Sequence, residues 1–178
     1  MIRLFTAIEI PEPVRIRLSL LQAGVPGARW TPVENLHLTL RFIGEVDEPT
    51  AGDIDQVLSG IREKAFDLTL RGVGEFGGRE PRAIWAGVAP NAALQHLVAK
   101  IESALQRMGL AAETRKYTPH VTLARLKDAS AAKVREFLSA HGPFDSGPFT
   151  VSAFTLFSSF QSSKGSLYRA EQSYPLNA

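Results

Sequence analysis

The chain has 178 residues, of which 44% are hydrophobic and 21% charged, with a formal net charge of +2. That balance fits one domain or two small lobes packed as a unit, rules out wholesale disorder, and by itself implies only a mildly basic surface. There is no cysteine, which excludes disulfides, a thiolate nucleophile and Cys-based zinc or iron–sulfur sites, and fits a cytoplasmic protein.

The opening "MIRLFTAIEI" has strand character and stops at Pro11. It is too short and too charged for a signal peptide, and no long apolar stretch follows, so no membrane segment is expected. From Pro13, the residues Val14, Leu18, Leu21 and Val25 recur at helical spacing until Gly24 and Pro26 end the run. "NLHLTLRFIG" alternates as a strand does. "EPTAGDIDQVLSGIREKA" puts Ile54, Val57, Leu58 and Ile61 on one helical face, "FDLTLRGVGEF" reads as a strand and "GGREP" as a turn.

The same order then recurs. "RAIWAGVAP" is a strand stopped by Pro90. "NAALQHLVAKIESALQRMG" is a helix with Leu94, Leu97, Val98, Ile101, Leu105 and Met108 inward. "YTPHVTLARL" is a strand and "SAAKVREFLSAHG" a helix closed by Gly142. "PFTVSAFTLFSSF" reads as one strand and "GSLYRAEQSYPL" as the last.

Each half thus runs strand–helix–strand–helix–strand. Pro11 and Pro90 end matching strands 79 residues apart. His37 and His120, each opening a His-x-Thr-Leu motif, are 83 apart, as are Phe66 and Phe149. The near-constant offset argues for a duplicated unit, roughly 1–77 and 81–160, with a closing strand at 165–175, inside a single bilobal domain 1–178. The fold class from pattern is α+β or mixed α/β, with sheets flanked by helices.

The repeated motif carries chemistry. On a strand, residues two apart share a face. Leu36, Leu38 and Leu40 therefore point to the core, while His37 and Thr39 share the other face, with Arg41 after them. Val121 and Leu123 point inward, and His120 and Thr122 outward. If the halves face each other, two imidazoles and two hydroxyls surround one space. One protonated and one neutral imidazole suit a displacement in which one group gains a proton and another loses one. Threonine hydroxyls can donate to a charged oxygen. This set fits an in-line phosphoryl displacement, and neither a metal nor another cofactor is expected.

The other two histidines, His96 and His141, read as a solvated helix-face residue and a helix C-terminal residue. Glu34 and Glu113 make a poor ligand set with the histidines. "RGVGEFGGRE" lacks the ending of a phosphate loop. Trp30, Phe5 and Tyr168 could stack on a base, but core packing is the better reading. Arg41, Arg79 and Arg82 could line a cleft, but solvated surface positions are the better reading.

With "RLFTAIEIP", "LHLTLRFIGEV", "EPRAIWAGV", "YTPHVTLAR" and "GSLYRAEQSYPL" in hand, the chain resembles the two-histidine (2H) phosphoesterase superfamily. Within it, the resemblance is to the LigT-like branch of RNA 2′,3′-cyclic phosphodiesterases, also called 2′-5′ RNA ligases. The resemblance implies an α+β fold of two pseudo-symmetric lobes of antiparallel sheet, flanked by helices, around a central basic cleft. It implies an RNA or oligonucleotide substrate ending in a 2′,3′-cyclic phosphate, hydrolysed to a 2′-phosphate. His37 is then the proton donor and His120 the proton acceptor. Thr39 and Thr122 hold the phosphate oxygens, and Arg125 binds phosphate. Arg125 has the parity of Val121 and Leu123, so the strand must end or bend for it to reach the cleft. Run backwards, the reaction makes a 2′-5′ bond without ATP. The alternatives are a module that only binds RNA ends, or a phosphodiesterase for small cyclic nucleotides or 2′-5′ linkages. A monomer is expected, because one chain holds both halves of the site.

Overall fold

The alternating stretches form two antiparallel sheets in the computed structural model, which describes residues 1–177. In chain order the strands are β1 (Ile2–Glu9), β2 (Ala28–Trp30), β3 (His37–Val46), β4 (Phe66–Phe76), β5 (Ala83–Val88), β6 (His120–Leu126), β7 (Asp145–Val151), β8 (Ala153–Ser162) and β9 (Gly165–Pro175). The helices are α1 (Glu12–Ser19), α2 (Glu48–Ser59), α3 (Ala92–Arg107) and α4 (Ala131–His141). One sheet has the order β3-β1-β8-β9 and the other β2-β6-β5-β4-β7. The fold is α+β.

The helices follow the apolar periodicity. Leu94, Leu97, Ile101 and Leu105 of α3, Ile54 and Leu58 of α2, and Val134 and Phe137 of α4 are all buried. They join Leu36, Leu38, Leu40, Val121 and Leu123 of the motif stretches in one core. The starts of the helices are marked by side chains that accept from otherwise unpaired backbone N–H groups: Asp47 from Thr50, Asn91 from Leu94 and Ser130 from Lys133. Helix α1 stops at Ser19, short of the run that the spacing predicts, and Leu20 is exposed. Helix α4 ends on Gly142, which keeps a right-handed φ of −52° rather than the left-handed one typical of a terminal glycine.

Two departures from the sequence pattern shape the molecule. The segment read as one strand, "PFTVSAFTLFSSF", breaks at Ser152 into β7 and β8, which enter different sheets. Phe149 therefore lies in β7 opposite Leu68 of β4 and does not open the counterpart of β4. That counterpart is β8. Strand β4, from the first half, pairs with β5 of the second, and β8, from the second half, pairs with β1 of the first. Each sheet thus takes its third strand from the opposite half of the chain, in the matched orders β3-β1-β8 and β6-β5-β4. The other departure is β2, whose three residues are too few to show a period.

Candidate active site

His37 and His120 each open a strand, β3 and β6. Along both, the residues between the motif positions are buried, while His37, Thr39 and Thr122 are half-buried on the other face. His37 and Thr39 sit opposite Glu9 and Ala7 of β1, and His120 and Thr122 opposite Gly87 and Trp85 of β5. The two strands lie against each other where the sheets meet.

Both strands then bulge at the same point. Thr39 pairs with Ala7 but Arg41 pairs with Thr6, leaving Leu40 as the extra residue. Thr122 pairs with Trp85 but Ala124 pairs with Ile84, leaving Leu123 as the extra residue. An inserted residue reverses the side-chain alternation beyond it. Arg125 consequently leaves the parity of Val121 and Leu123 and is exposed on the face of His120 and Thr122.

The bulge also corrects the expectation for Arg41. It neither follows Thr39 on the motif face nor sits on a solvated surface. It is buried and donates to both oxygens of Glu102 and to the carbonyl of Ala111, at 2.7 Å. These Arg41 hydrogen bonds hold the Glu102 carboxyl down at about 2, against a burial effect that pushes it up, with Gln106 and the Glu113 N–H adding to the depression. Phe42 takes the exposed position instead. Arg79 and Arg82 are exposed.

The two imidazoles are oriented alike. The Nδ1 of His37 lies 2.7 Å from the carbonyl oxygen of Asn35, and that of His120 lies 2.7 Å from the carbonyl oxygen of Thr118. A carbonyl only accepts, so each Nδ1 carries its hydrogen and Nε2 is left for chemistry. In His37, Nε2 is 2.9 Å from the Thr39 hydroxyl, which donates to it while the ring is neutral.

Aromatic rings brace both histidines. Phe5 lies 5.1 Å and Tyr168 5.2 Å from the His37 ring, the latter edge-on. Phe76 meets the His120 ring edge-on at 5.0 Å, and Trp85 is 6.1 Å away. Phe5 is buried and forms the floor under His37 rather than an open stacking platform, and the half-buried Trp30 packs on Phe137 at the edge of the core. The Trp85 ring lies across Gly74, where an added Cβ would come within 2.3 Å of it.

Burial is the main reason that the His37 pKa falls below 6.5. The Asn35 carbonyl opposes this, and the charge of His120 adds to it. The two histidines are thus within electrostatic reach of each other. A cavity of about 590 Å³ opens beside His37, lined by Phe5, Glu9, Arg15, Asn35 and Tyr168 among others. His96 is exposed on α3, and His141 packs on Phe137, ring centres 4.6 Å apart. Among the described residues, no three His, Asp or Glu side chains gather as a metal ligand set.

Sequence reasoning did not find the Asn35 and Thr118 carbonyls, Trp85, Phe76 or Tyr117 as parts of this site. The only local signal was for Tyr117, which stands three residues before His120. Trp85 and Phe76 reach the site through strand pairing, which leaves no mark near either motif.

The chain is similar to known proteins of one family. A family model for the 2′-5′ RNA ligase superfamily matches residues 11–160. An RNA 2′,3′-cyclic phosphodiesterase of Aeropyrum pernix is 38% identical over 158 residues, covering 87% of this chain and 89% of the relative. One from Escherichia coli (strain K12) is 33% identical over 161 residues, covering 88% and 86%. A crystal structure of E. coli LigT complexed with 3′-AMP superposes with a TM-score of 0.84 at 31% identity, covering 99% of both chains. By the family model and by these relatives, this chain belongs to the 2′-5′ RNA ligase superfamily.

Proposed function

We propose that the protein is an RNA 2′,3′-cyclic phosphodiesterase that opens a terminal 2′,3′-cyclic phosphate to a 2′-phosphate. The matched pair of imidazoles carries this reading, each with Nδ1 tied to the carbonyl two residues before it, which leaves Nε2 as the atom that transfers the proton. His120, neutral, takes a proton from water as the water oxygen bonds to phosphorus. His37, protonated, delivers its proton to the departing 3′-oxygen as the P–O3′ bond breaks. The products are a 2′-phosphate and a free 3′-hydroxyl. The histidines end with exchanged protonation states, which solvent resets.

In the free protein, burial keeps His37 neutral more readily than an exposed histidine. The substrate's phosphate anion opposes that effect and favours the imidazolium that the step needs. Thr39 and Thr122 donate to the non-bridging oxygens as charge grows on them, and Arg125 neutralises the phosphate. The cycle uses these side chains alone and calls for no cofactor. With a 5′-hydroxyl as nucleophile in place of water, the same displacement forms a P–O5′ bond as P–O3′ breaks and gives a 2′-5′ ligation. One chain supplies both halves of this site, so the working unit is a monomer, acting on RNA in the cytoplasm as a single domain spanning 1–178. Among the described residues, no helix is long and apolar enough to cross a membrane.

The test is incubation with adenosine 2′,3′-cyclic monophosphate, and with a short RNA bearing the same end, in EDTA. The product isomer is identified by phosphorus NMR. A 2′-phosphate is the expected product. A 3′-phosphate would reverse the leaving group given to His37, and no turnover of either substrate by folded protein would overturn the reading.

A further inference from the structure

The terminal phosphate accounts for the motif residues and Arg125 but leaves a second arginine beside Arg125 unused. Strand β2 pairs with the end of β6 so that Arg29 stands directly opposite Arg125. Cross-strand partners share a face. The next residue, Trp30, turns the other way and packs on Phe137 of α4. Arg29 therefore lies on the face of Arg125, Thr122 and His120, and it is exposed.

Two like charges directly opposite in an antiparallel pair destabilise it. Arg3, Arg41, Arg71, Arg115 and Arg169 each meet a carboxylate, yet among the described residues neither Arg29 nor Arg125 does. The backbone that presents Arg29 is firmly held. The Thr31 N–H donates to the carbonyl of Leu123, the bulged residue, at 2.9 Å. The Gln22 amide donates to the carbonyls of Thr31 and Leu123 at 2.8 and 3.0 Å. The same bulge that turns Arg125 outward thus anchors the segment carrying Arg29.

The position equivalent to Arg125 in the first motif strand is Phe42, two residues beyond the bulged Leu40. It is 57% exposed and lies 5.9 Å from Phe5, on the His37 face. Two exposed guanidiniums side by side without a carboxylate partner, on the face of the motif residues, suit a nucleic-acid backbone: a second cation for a second phosphate.

We propose that Arg29 forms a subsite for the nucleotide preceding the cyclic end of an RNA. Arg29 binds the internal phosphodiester, next to the terminal phosphate that Arg125 meets. This rests on the phosphodiesterase reading of the neighbouring site, and it makes an oligonucleotide a better substrate than a cyclic mononucleotide of the same base.

The experiment measures kcat/KM for a short RNA ending in a 2′,3′-cyclic phosphate and for the matching cyclic mononucleotide, at several salt concentrations. Fluorescence anisotropy of a short RNA provides an activity-independent measure of binding. Arg29→Ala should lower kcat/KM on the RNA about tenfold, the scale of one hydrogen-bonded charge contact, while leaving the mononucleotide within about twofold. It should also reduce the log–log salt slope of RNA binding by about 0.7, the value for one phosphate on a single strand. Arg29→Lys should restore the slope.

An Arg29→Ala variant that affects both substrates equally, or neither, overturns the subsite. If the wild type turns over neither substrate, the phosphodiesterase reading fails. The anisotropy slope then still decides whether Arg29 meets a phosphate, and an unchanged slope rejects it.

Discussion

The hydroxyl of Tyr117 donates a hydrogen bond to the backbone carbonyl of Thr39 across 2.8 Å. Tyr117 stands three residues before His120, and Thr39 lies inside the other motif, so the bond ties the approach to one histidine to the strand of the other. Burial pushes the phenol far above its usual ionisation range, so it remains a neutral donor at any working pH. Proton transfer at opposite ends of one phosphate requires a fixed separation between the imidazoles, and this bond helps to set it.

Tyr117→Phe removes that donor and keeps the ring. The expected cost is about 1 kcal/mol of stability, the usual worth of one such bond, seen as a lower urea midpoint. Activity on the cyclic phosphate should fall mainly in kcat. A variant with lower stability and an unchanged kcat would show that the bond supports the fold but not the spacing.

His37 should make stability depend on pH in a defined direction. Its pKa in the folded protein is below the 6.5 of the unfolded chain. The unfolded state therefore binds the proton first, and the stability associated with neutral His37 is complete above pH 6.5. It is lost as the pH falls from 6.5 through the lowered folded value. Between pH 7.5 and 5, wild-type protein should lose more stability than His37→Gln, measured by urea unfolding. Equal losses would place the sensitivity elsewhere.

The Arg41–Glu102 pair should matter for folding and be felt at lower pH. Arg41→Met leaves a partly buried carboxylate without its cation and should cost about 3–5 kcal/mol, the range for breaking such a pair. The doubly substituted Arg41→Met/Glu102→Met chain should recover part of that loss. The Glu102 carboxyl falls from 4.5 in the unfolded chain to about 2 in the folded one. Its contribution is therefore complete above pH 4.5 and disappears as the pH drops toward 2. Acid titrations of wild type and Glu102→Gln should differ in that window and run parallel above it.

Gly74→Ala tests the support beneath His120. The new methyl would sit 2.3 Å from the Trp85 ring, which must move, and that ring packs with Phe76 beside His120. The expected outcome is about 1–3 kcal/mol of destabilisation, the scale of overpacking, together with a changed near-ultraviolet circular dichroism signal and a reduced kcat. Adding Trp85→Leu should relieve the strain in stability. A Gly74→Ala protein with native kcat would separate the Trp85 ring from the orientation of His120.

Much of the site was legible because its determinants are local. Alternation with a period of two put His37 with Thr39 and His120 with Thr122, and Leu38 and Val121 between them into the core, without reference to any other strand. Helices α2, α3 and α4 were legible from apolar spacing, which is a local signal. The recurrence of the motif was enough to single out two histidines of four.

What lay beyond reach depended on partners distant in the chain. The bulges at Leu40 and Leu123 exist because one residue too many faces the neighbouring strand, and neither leucine is marked as a bulge by its type. Those two insertions send Arg41 inside to Glu102 and turn Arg125 out beside His120. The break at Ser152, which sends β7 and β8 into separate sheets, is likewise decided by what each segment pairs with. The sequence by itself determined which side chains stand together along each strand, because that follows from backbone geometry over three or four residues. Only the tertiary structure decided which arginine joins them and how the two motifs are held together, because inter-strand register and the Tyr117–Thr39 bond are set between segments roughly 35 to 80 residues apart.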